Sequence, residues 1–345
     1  FTSANWDTAQ TVTVTGADDD IIDGTVSSTT TISINDASSD NNFDGVTDQT
    51  VSVSTTDDDV AGFTIVELEG STGVDESGTT DTITVVLNAQ PASDVFLART
   101  SSATGEATVT SSLTFTSANW DTAQTVTVTG ADDDIIDGTV SSTVTISIND
   151  AASDNNFDGV ADQSVSSTTL DDDVAGFTIE ETDESTEVDE SGSTDTFTVV
   201  LDAQPTSDVV LTITSDDTGE ATVPASVTFT PVNWDTPQTV TVTGTDDDLV
   251  DGTITSTITI AVDDANSSDG FDSLIDQIVS VDTTDDDVAG FTIVELDGAT
   301  EVDEAGSTDT FTVVLDAQPT SDVVMSTASN DTSEATTTNT LTFTP

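Results

Sequence analysis

Thr239-Val240-Thr241-Val242-Thr243 and, further on, Thr257-Ile258-Thr259-Ile260-Ala261-Val262 decide what this chain folds into. Both runs alternate a β-branched apolar residue with a small or polar one, the period-two pattern of a strand with one face buried and one face wet. Alternation puts Val240, Val242, Ile258 and Ile260 in the core and the intervening threonines outside. Working outward, similar short runs stand at 177–179 (FTI), 196–201 (TFTVVL), 209–213 (VVLTI), 227–229 (VTF) and 278–281 (IVSV). Clusters of Gly, Pro, Asn and Asp separate them, and no stretch has a helical period. Labelled A to G in chain order, these runs predict an immunoglobulin-like sandwich of seven strands.

The pattern recurs along the chain. Trp6, Trp120 and Trp234 stand 114 residues apart, as do Phe63, Phe177 and Phe291, and residues 1–29 return letter for letter as 115–143. A period of this length is a whole domain, not one turn of a solenoid. Complete repeats are expected at 61–174 and 175–288, with a C-terminal half (strands D to G) at 1–60 and an N-terminal half (A to C and the start of D) at 289–345. Only Val-Ala-Gly links consecutive repeats (174–176 and 288–290), so the expected fold class is all-β, with the sandwiches in an elongated, stiff tandem array. The chain opens inside a repeat, and 345 residues are three periods plus three, so the sequence reads as a window cut from a longer protein.

Charge narrows the function. There are 68 acidic residues against one basic residue, Arg99, with no lysine, histidine or cysteine. Nucleic acid is excluded as a partner because its phosphates need Lys or Arg, and an anionic membrane surface repels such a chain. No run approaches the roughly 18 apolar residues of a membrane-spanning helix, so direct membrane insertion of this segment is not expected. Compositions of this kind accompany disorder, but the clean alternation contradicts that here. Of the acids, 54 are Asp and 14 are Glu, a bias toward turns and hard-cation sites. A solvated acidic surface, as in proteins from high salt, is the plain alternative; it does not predict acids clustered at fixed places in each repeat.

Strand parity locates those clusters. In an antiparallel sandwich the loops after A, C and E and the end of G share one tip. The A–B loop carries Asp189-Glu190 and Asp195, the C–D loop Asp216-Asp217 and Glu220, the E–F loop Asp246-Asp247-Asp248 and Asp251, and G ends in Asp285-Asp286-Asp287. Carboxylates crowded this way repel one another unless cations sit among them. An all-oxygen donor set suits Ca²⁺, which takes about six to eight such ligands, whereas zinc and copper are disfavoured without His or Cys. The candidate ligands in 175–288 are Asp189, Glu190, Asp246, Asp247, Asp248, Asp251, Asp285, Asp286 and Asp287. In 61–174 they are Asp75, Glu76, Asp132, Asp133, Asp134, Asp137, Asp171, Asp172 and Asp173. The flanking halves add Asp18, Asp19, Asp20, Asp23, Asp57, Asp58 and Asp59 at one end and Asp303 and Glu304 at the other. Several Ca²⁺ ions are expected at each junction, where the acidic tip meets the following repeat.

Several of these segments together resemble a Calx-beta domain: Val-Asp-Glu at 188–190, Val-Thr-Phe-Thr-Pro at 227–231, Gln-Thr-Val-Thr-Val at 238–242, the Asp-rich E–F loop and the terminal Asp-Asp-Asp. The resemblance covers every repeat. It implies Ca²⁺ held by the early acid, the E–F acids and the terminal aspartates. Carried over, these are Glu76, Asp134, Asp137 and Asp171 to Asp173 in one repeat, and Glu190, Asp248, Asp251 and Asp285 to Asp287 in the next. Asp-Gly at 137–138 and 251–252 departs from the family, which often has a glutamate-rich stretch there. Residues 229–238 are also similar to repeats in very large bacterial surface proteins and adhesins.

The F–G loop is a second candidate. Asp40-Asn41-Asn42-Phe43-Asp44-Gly45 with Asp48, and the segment from Asp154 to Asp162, match the opening of a Ca²⁺ loop but lack its closing bidentate Glu. In the next copy the pattern decays to Ser268-Asp269-Gly270-Phe271-Asp272-Ser273, so an ordinary Asp/Asn/Gly-rich turn is the alternative. By parity this loop lies at the opposite tip. Trp6, Trp120 and Trp234, in the D–E loop, are expected to seal the edge of the core rather than to stack on a sugar. Asp189-Glu190 imitates the two carboxylates of a glycosidase, but with no His or Lys beside it catalysis is not expected.

These readings lead to the expectation of a structural, calcium-rigidified rod segment of an extracellular bacterial surface protein, serving as an adhesin extender or a filament shaft. Its partners would be neighbouring repeats of the same chain, with lateral or end-to-end self-association between copies. Two rivals stand beside it. One is a self-assembling filament subunit whose half repeats are completed between neighbours; the other is a glycan- or surface-binding module presenting threonine-rich faces.

Overall fold

The computed structural model describes residues 1–68, 70–110, 112–338 and 340–345. It is all-β: among the described residues the only helical elements are 3₁₀ turns of three residues. The chain divides into two compact units, residues 1–133 with 138–172 and residues 134–137 with 173–345. Each holds one complete sandwich.

The first unit opens with a hairpin, β1 (Val26–Ile32) against β2 (Gln49–Thr55). Its sandwich comprises β3 (Phe63–Glu67), β4 (Thr72–Asp75), β5 (Thr80–Leu87), β6 (Val95–Ser101), β7 (Ala107–Val109), β8 (Leu113–Phe115), β9 (Gln124–Gly130), β10 (Val140–Ile148) and β11 (Gln163–Leu170). One sheet has the order β3-β5-β9-β7 and the other β4-β11-β10-β6-β8. The second unit repeats this with β12 (Phe177–Glu181), β13 (Thr186–Asp189), β14 (Thr194–Leu201), β15 (Val209–Ser215), β16 (Ala221–Thr222), β17 (Ser226–Phe229), β18 (Gln238–Gly244), β19 (Ile254–Val262) and β20 (Gln277–Thr284). It continues into β21 (Phe291–Glu295) paired with β22 (Phe311–Leu315), and β23 (Val323–Ser326) paired with β24 (Thr340–Phe343).

Alternation fixes the core. Val240, Val242, Ile258 and Ile260 are fully buried and pack with Phe197, Leu211 and Phe229 from both sheets. The register puts Phe197 opposite Val240 and Ile213 opposite Ile260, so each strand delivers its apolar face at the same level as its neighbour. Trp120 and Trp234 pack partly buried against the two cores, and their carbonyls accept from the Leu87 and Leu201 amides at 3.1 and 3.2 Å. The equivalent Trp6 is 73% exposed. In the flanking halves, apolar faces that the complete sandwiches cover lie open: Phe291 is 54% exposed where Phe177 is 4%.

Each complete sandwich has two strands beyond the expected seven. In the second sandwich strand A is broken at a corner where Asp183 and Glu184 adopt φ of 60° and 72°, a left-handed conformation that turns the chain sharply. β12 stays on the first sheet, while β13 crosses to the second and pairs in parallel with β20, Val188 opposite Thr283. Asp189 therefore lies in a strand, not in the A–B loop. The free edge of β20 is what recruits it, since an unpaired edge of N–H and C=O groups is satisfied by a further strand. The second addition is β16, two residues of the C–D loop paired on β18.

The F–G loop forms a 3₁₀ turn in each copy. Asp154 caps it, accepting from the Asn156 amide at 3.0 Å and the Ser93 amide at 2.8 Å. Its two carboxylate oxygens are thus taken up by backbone donors. Phe157 and Phe271, at the end of the turn, are fully buried.

Candidate metal centre

In the second sandwich the acids converge at the end of β13, β18 and β20 and before β16. Glu190, one residue past β13, donates its amide to the Thr284 carbonyl at 3.1 Å and turns its side chain inward, where it is 1% exposed. Carboxylate oxygens of Glu190, Asp247 and Asp287 all lie within 4.8 Å of one another. Glu220, buried just before β16, faces the same space, for its charge and those of Asp247, Asp251 and Asp285 act on Glu190. In the first sandwich two such groups share Glu76, one with Glu106 and Asp133 and the other with Asp171 and Asp173, each again within 4.8 Å.

Backbone donors shape the site. One Asp285 oxygen accepts from the Asp251 and Gly252 amides at 2.9 and 2.8 Å, and the other from Asp287 N at 2.8 Å. Leu249 N donates to Asp247 at 2.6 Å. Asp57 makes the equivalent contacts to Asp23, Gly24 and Asp59, and Asp171 accepts from Gly138 N at 2.8 Å. These carboxylates lace the E–F loop to the end of the last strand.

Ionisation is pushed in both directions within a few ångströms. The Gly252 amide, with those of Asp287 and Asp251, holds the Asp285 carboxyl below its ordinary value against the opposing effect of burial. Burial, then the charges of Asp247, Asp285, Glu220 and Asp251, pushes Glu190 up to about 7. Burial first and neighbouring acids second also raise Glu220 and Asp287. Both oxygens of Glu190, Oε2 of Glu220 and Oδ2 of Asp287 are buried without a hydrogen-bond donor among the described residues. Buried carboxylates without donors are unfavourable unless protonated or bound by a cation. An oxygen-only set of this kind fits Ca²⁺ and offers nothing for a thiophilic or imidazole-seeking metal.

Not every anticipated residue joins the cluster. In Asp246-Asp247-Asp248 the middle residue is half-buried and the outer two are exposed; in Asp285-Asp286-Asp287 the outer two are half-buried and Asp286 is exposed. Asp132-Asp133-Asp134 and Asp171-Asp172-Asp173 repeat the two patterns, with Asp132, Asp134 and Asp172 exposed. Asp248 and Asp134, to which the family resemblance points in place of Asp247 and Asp133, are exposed, and their carbonyls accept from Gln318 N and Gln204 N at 2.6 Å. Asp189 and Asp75 are turned away by the period of the strand: their carboxylates take the hydroxyls of Ser191 and Ser77, and their amides donate to Ser193 and Thr79. Asp303 binds the Ala305 amide in the same way at 2.9 Å, and Asp303 and Glu304 are both exposed. Asp137 and Asp251 are exposed at the rim. At the N-terminal end, Asp18, Asp19, Asp23, Asp57, Asp58 and Asp59 line an open cavity of about 180 Å³, with the Asp20 charge acting on Asp59.

The sequence pattern alone does not mark Glu106 and Glu220 as ligands. Their signal is the recurrence of Thr-Gly-Glu-Ala-Thr at 104–108 and 218–222, in which the Glu and Ala are buried although the loop around them is polar.

No protein-family model and no curated protein matches the chain. Among solved structures it is similar to the calcium-binding domain CBD12 of CALX1.1, at 15% identity over 58% of this chain and 79% of that one, with a TM-score of 0.25. It is similar to domains 1–6 of the surface layer protein SbsC, at 14% identity over 86% and 38% of the two chains, TM-score 0.28. It is also similar to an endo-fucoidan hydrolase of glycoside hydrolase family 107, at 14% identity over 71% and 32%, TM-score 0.24. Proteins so different in kind, at this level of likeness, leave the functional argument to the residues themselves.

Proposed function

We propose that this chain is a structural segment of an extracellular bacterial surface protein, a tandem of Calx-beta-like sandwiches with repeats bounded at 61–174 and 175–288, rigidified by Ca²⁺ at the acidic tip of each. Its task is reach: closely similar copies supply length rather than a distinct binding surface, as an adhesin extender or filament shaft requires. Without the ion the tip carboxylates repel one another and loosen the loops; with it the E–F loop and the last strand are tied to the sandwich. No catalytic role is assigned to the acids.

The observation that carries this reading is Glu190, buried with both oxygens lacking a donor and placed against Asp247 and Asp287. Calcium titration by calorimetry on the full chain tests it. Glu190→Gln should remove binding equivalent to one tip and leave the rest. An unchanged stoichiometry and affinity in that variant, or no heat of binding in the wild type, would contradict it.

A further inference from the structure

The E–F loop does more than carry acids. In the first unit, Asp20 accepts from Gln90 N at 2.7 Å, Ile21 forms a parallel bridge with Gln90, and Ile22 packs against the core of the sandwich that Gln90 belongs to. In the second unit, residues 134–137 do the same at Gln204: Gln204 N donates to Asp134 O at 2.6 Å, Ile136 N donates to Gln204 O at 3.0 Å, and Ile136 packs against the core. The pattern recurs a third time, with Gln318 N on Asp248 O at 2.6 Å and Leu249 bridged to Gln318.

The receiving side is built for this contact. The Gln204 side chain is pinned by its Nε2 donating to Pro231 O at 2.8 Å, and Gln90 is held likewise by Ser117 O at 2.8 Å. Over the inserted residue lies the F–G turn. Asn156 Nδ2 donates to Ile22 O at 2.9 Å, and at the equivalent Gly270 any Cβ would come within 2.9 Å of Ile136 Cγ2. The F–G turn is thus one wall of a socket.

From this we propose that consecutive repeats are joined by a plug: the Asp-Ile-Ile (or Asp-Leu-Val) segment of one E–F loop docks as a one-residue parallel strand on the Gln-Pro turn of the next repeat, its second apolar residue entering the end of that core. The partner surface is another repeat of the same kind. The residue immediately before each plug is Asp19, Asp133 or Asp247, and the last two of these stand in the carboxylate clusters. Cation binding, which rests on the function proposed above, therefore sets the seating of the plug through adjacent residues of one loop, without an ion having to bridge two repeats.

Hydrogen exchange of the full chain tests this, read at the Gln204 and Gln318 amides with Val199 and Val240 as core references. Ile136→Ser should speed exchange at Gln204 at least tenfold, leaving Gln318 and the core slow, while Ile136→Val stays protected. In the wild type, EGTA should speed exchange at both glutamines, and Glu190→Gln at Gln318 alone. A Gln204 amide as slow in Ile136→Ser as in the wild type overturns the plug. Glutamine amides indifferent to EGTA in a protein that calorimetry shows to bind calcium overturn the coupling. No calcium binding at all removes the proposed function and the coupling with it, while the Ile136→Ser comparison still decides the seating.

Discussion

Glu190 shows how local the chemistry is. Asp189 and Glu190 are adjacent, yet only the glutamate faces the cluster, because successive residues of β13 and its extension point to opposite sides. A similar alternation divides the triplets at 57–59, 132–134, 171–173, 246–248 and 285–287 into half-buried and exposed members. That division could be read from the sequence once the strands were extended by a residue or two; treating the triplets as loops hid it. A raised carboxyl pKa has a definite sign in stability. Cation-free folded protein keeps a proton on Glu190 to about pH 7, whereas the unfolded chain releases it near the ordinary 4.5. The folded state is therefore penalised increasingly as pH rises through that window, and not below it. In EGTA the melting temperature should fall from about pH 5 to about pH 7.5, and Glu190→Gln should flatten that fall. With excess calcium the slope should reverse, because the ion competes with protons for the same carboxylates. Calorimetric melts across pH check both signs.

Arg99 is the other informative residue. It follows Val95 and Leu97 on the inward face of β6, opposite Ile146, where the second sandwich has Ile213. All its side-chain nitrogens are buried without hydrogen-bond partners among the described residues, and burial lowers its pKa. Exchanging this desolvated cation for Ile adds apolar packing and removes an uncompensated charge. Arg99→Ile should stabilise the chain by about 1–3 kcal/mol, read as a higher denaturation midpoint at unchanged slope; a lower midpoint would show that the guanidinium has a stabilising role.

Elements place the acids. The strands of the sequence reading correspond to those observed, because β-branched alternation over short runs has few other outcomes. What stayed hidden was tertiary: β13 exists because the edge of β20 is open to a parallel partner, and β16 because β18 has room for two more paired residues. Neither has a run long enough to declare itself. The F–G segment could be read as the start of a calcium loop or as a turn; its aspartate proves to be a 3₁₀ cap. Close packing around β13 makes a prediction. A Cβ on Gly244 would lie 2.0 Å from the Asp189 carbonyl oxygen, and on Gly130 1.8 Å from that of Asp75. Gly244→Ala must push β13 outward and carry Glu190 with it. It should cost about 2 kcal/mol or more, in the range of overpacked cores, and also weaken calcium binding at that tip. Denaturation and titration of the one variant measure both, and a loss of stability with full calcium affinity would separate the glycine from the site.

At the scale of the whole molecule, charge and repetition act together. Sixty-eight acids against one arginine make every compact state of this chain self-repelling, so something in solution must relieve that repulsion. Two kinds of relief are distinguishable. Bound calcium acts at a few sites and saturates, adding about 2.7 kcal/mol per site at a hundredfold excess over Kd. Diffuse screening acts on the whole surface, scales with ionic strength and does not distinguish calcium from magnesium at equal ionic strength. The fixed-place clustering, with buried glutamates at its centre in both complete sandwiches, favours the first. The most direct measurement is thermal melting of the full chain at constant moderate NaCl, in calcium, in magnesium and in EGTA, followed by the same series at low NaCl. If calcium bound at the tips is the relief, the melting temperature should drop strongly on adding EGTA, magnesium should rescue it poorly, and NaCl should matter little while calcium is present. A melt indifferent to EGTA that collapses when NaCl is lowered would contradict it and leave the acids as a salt-adapted surface.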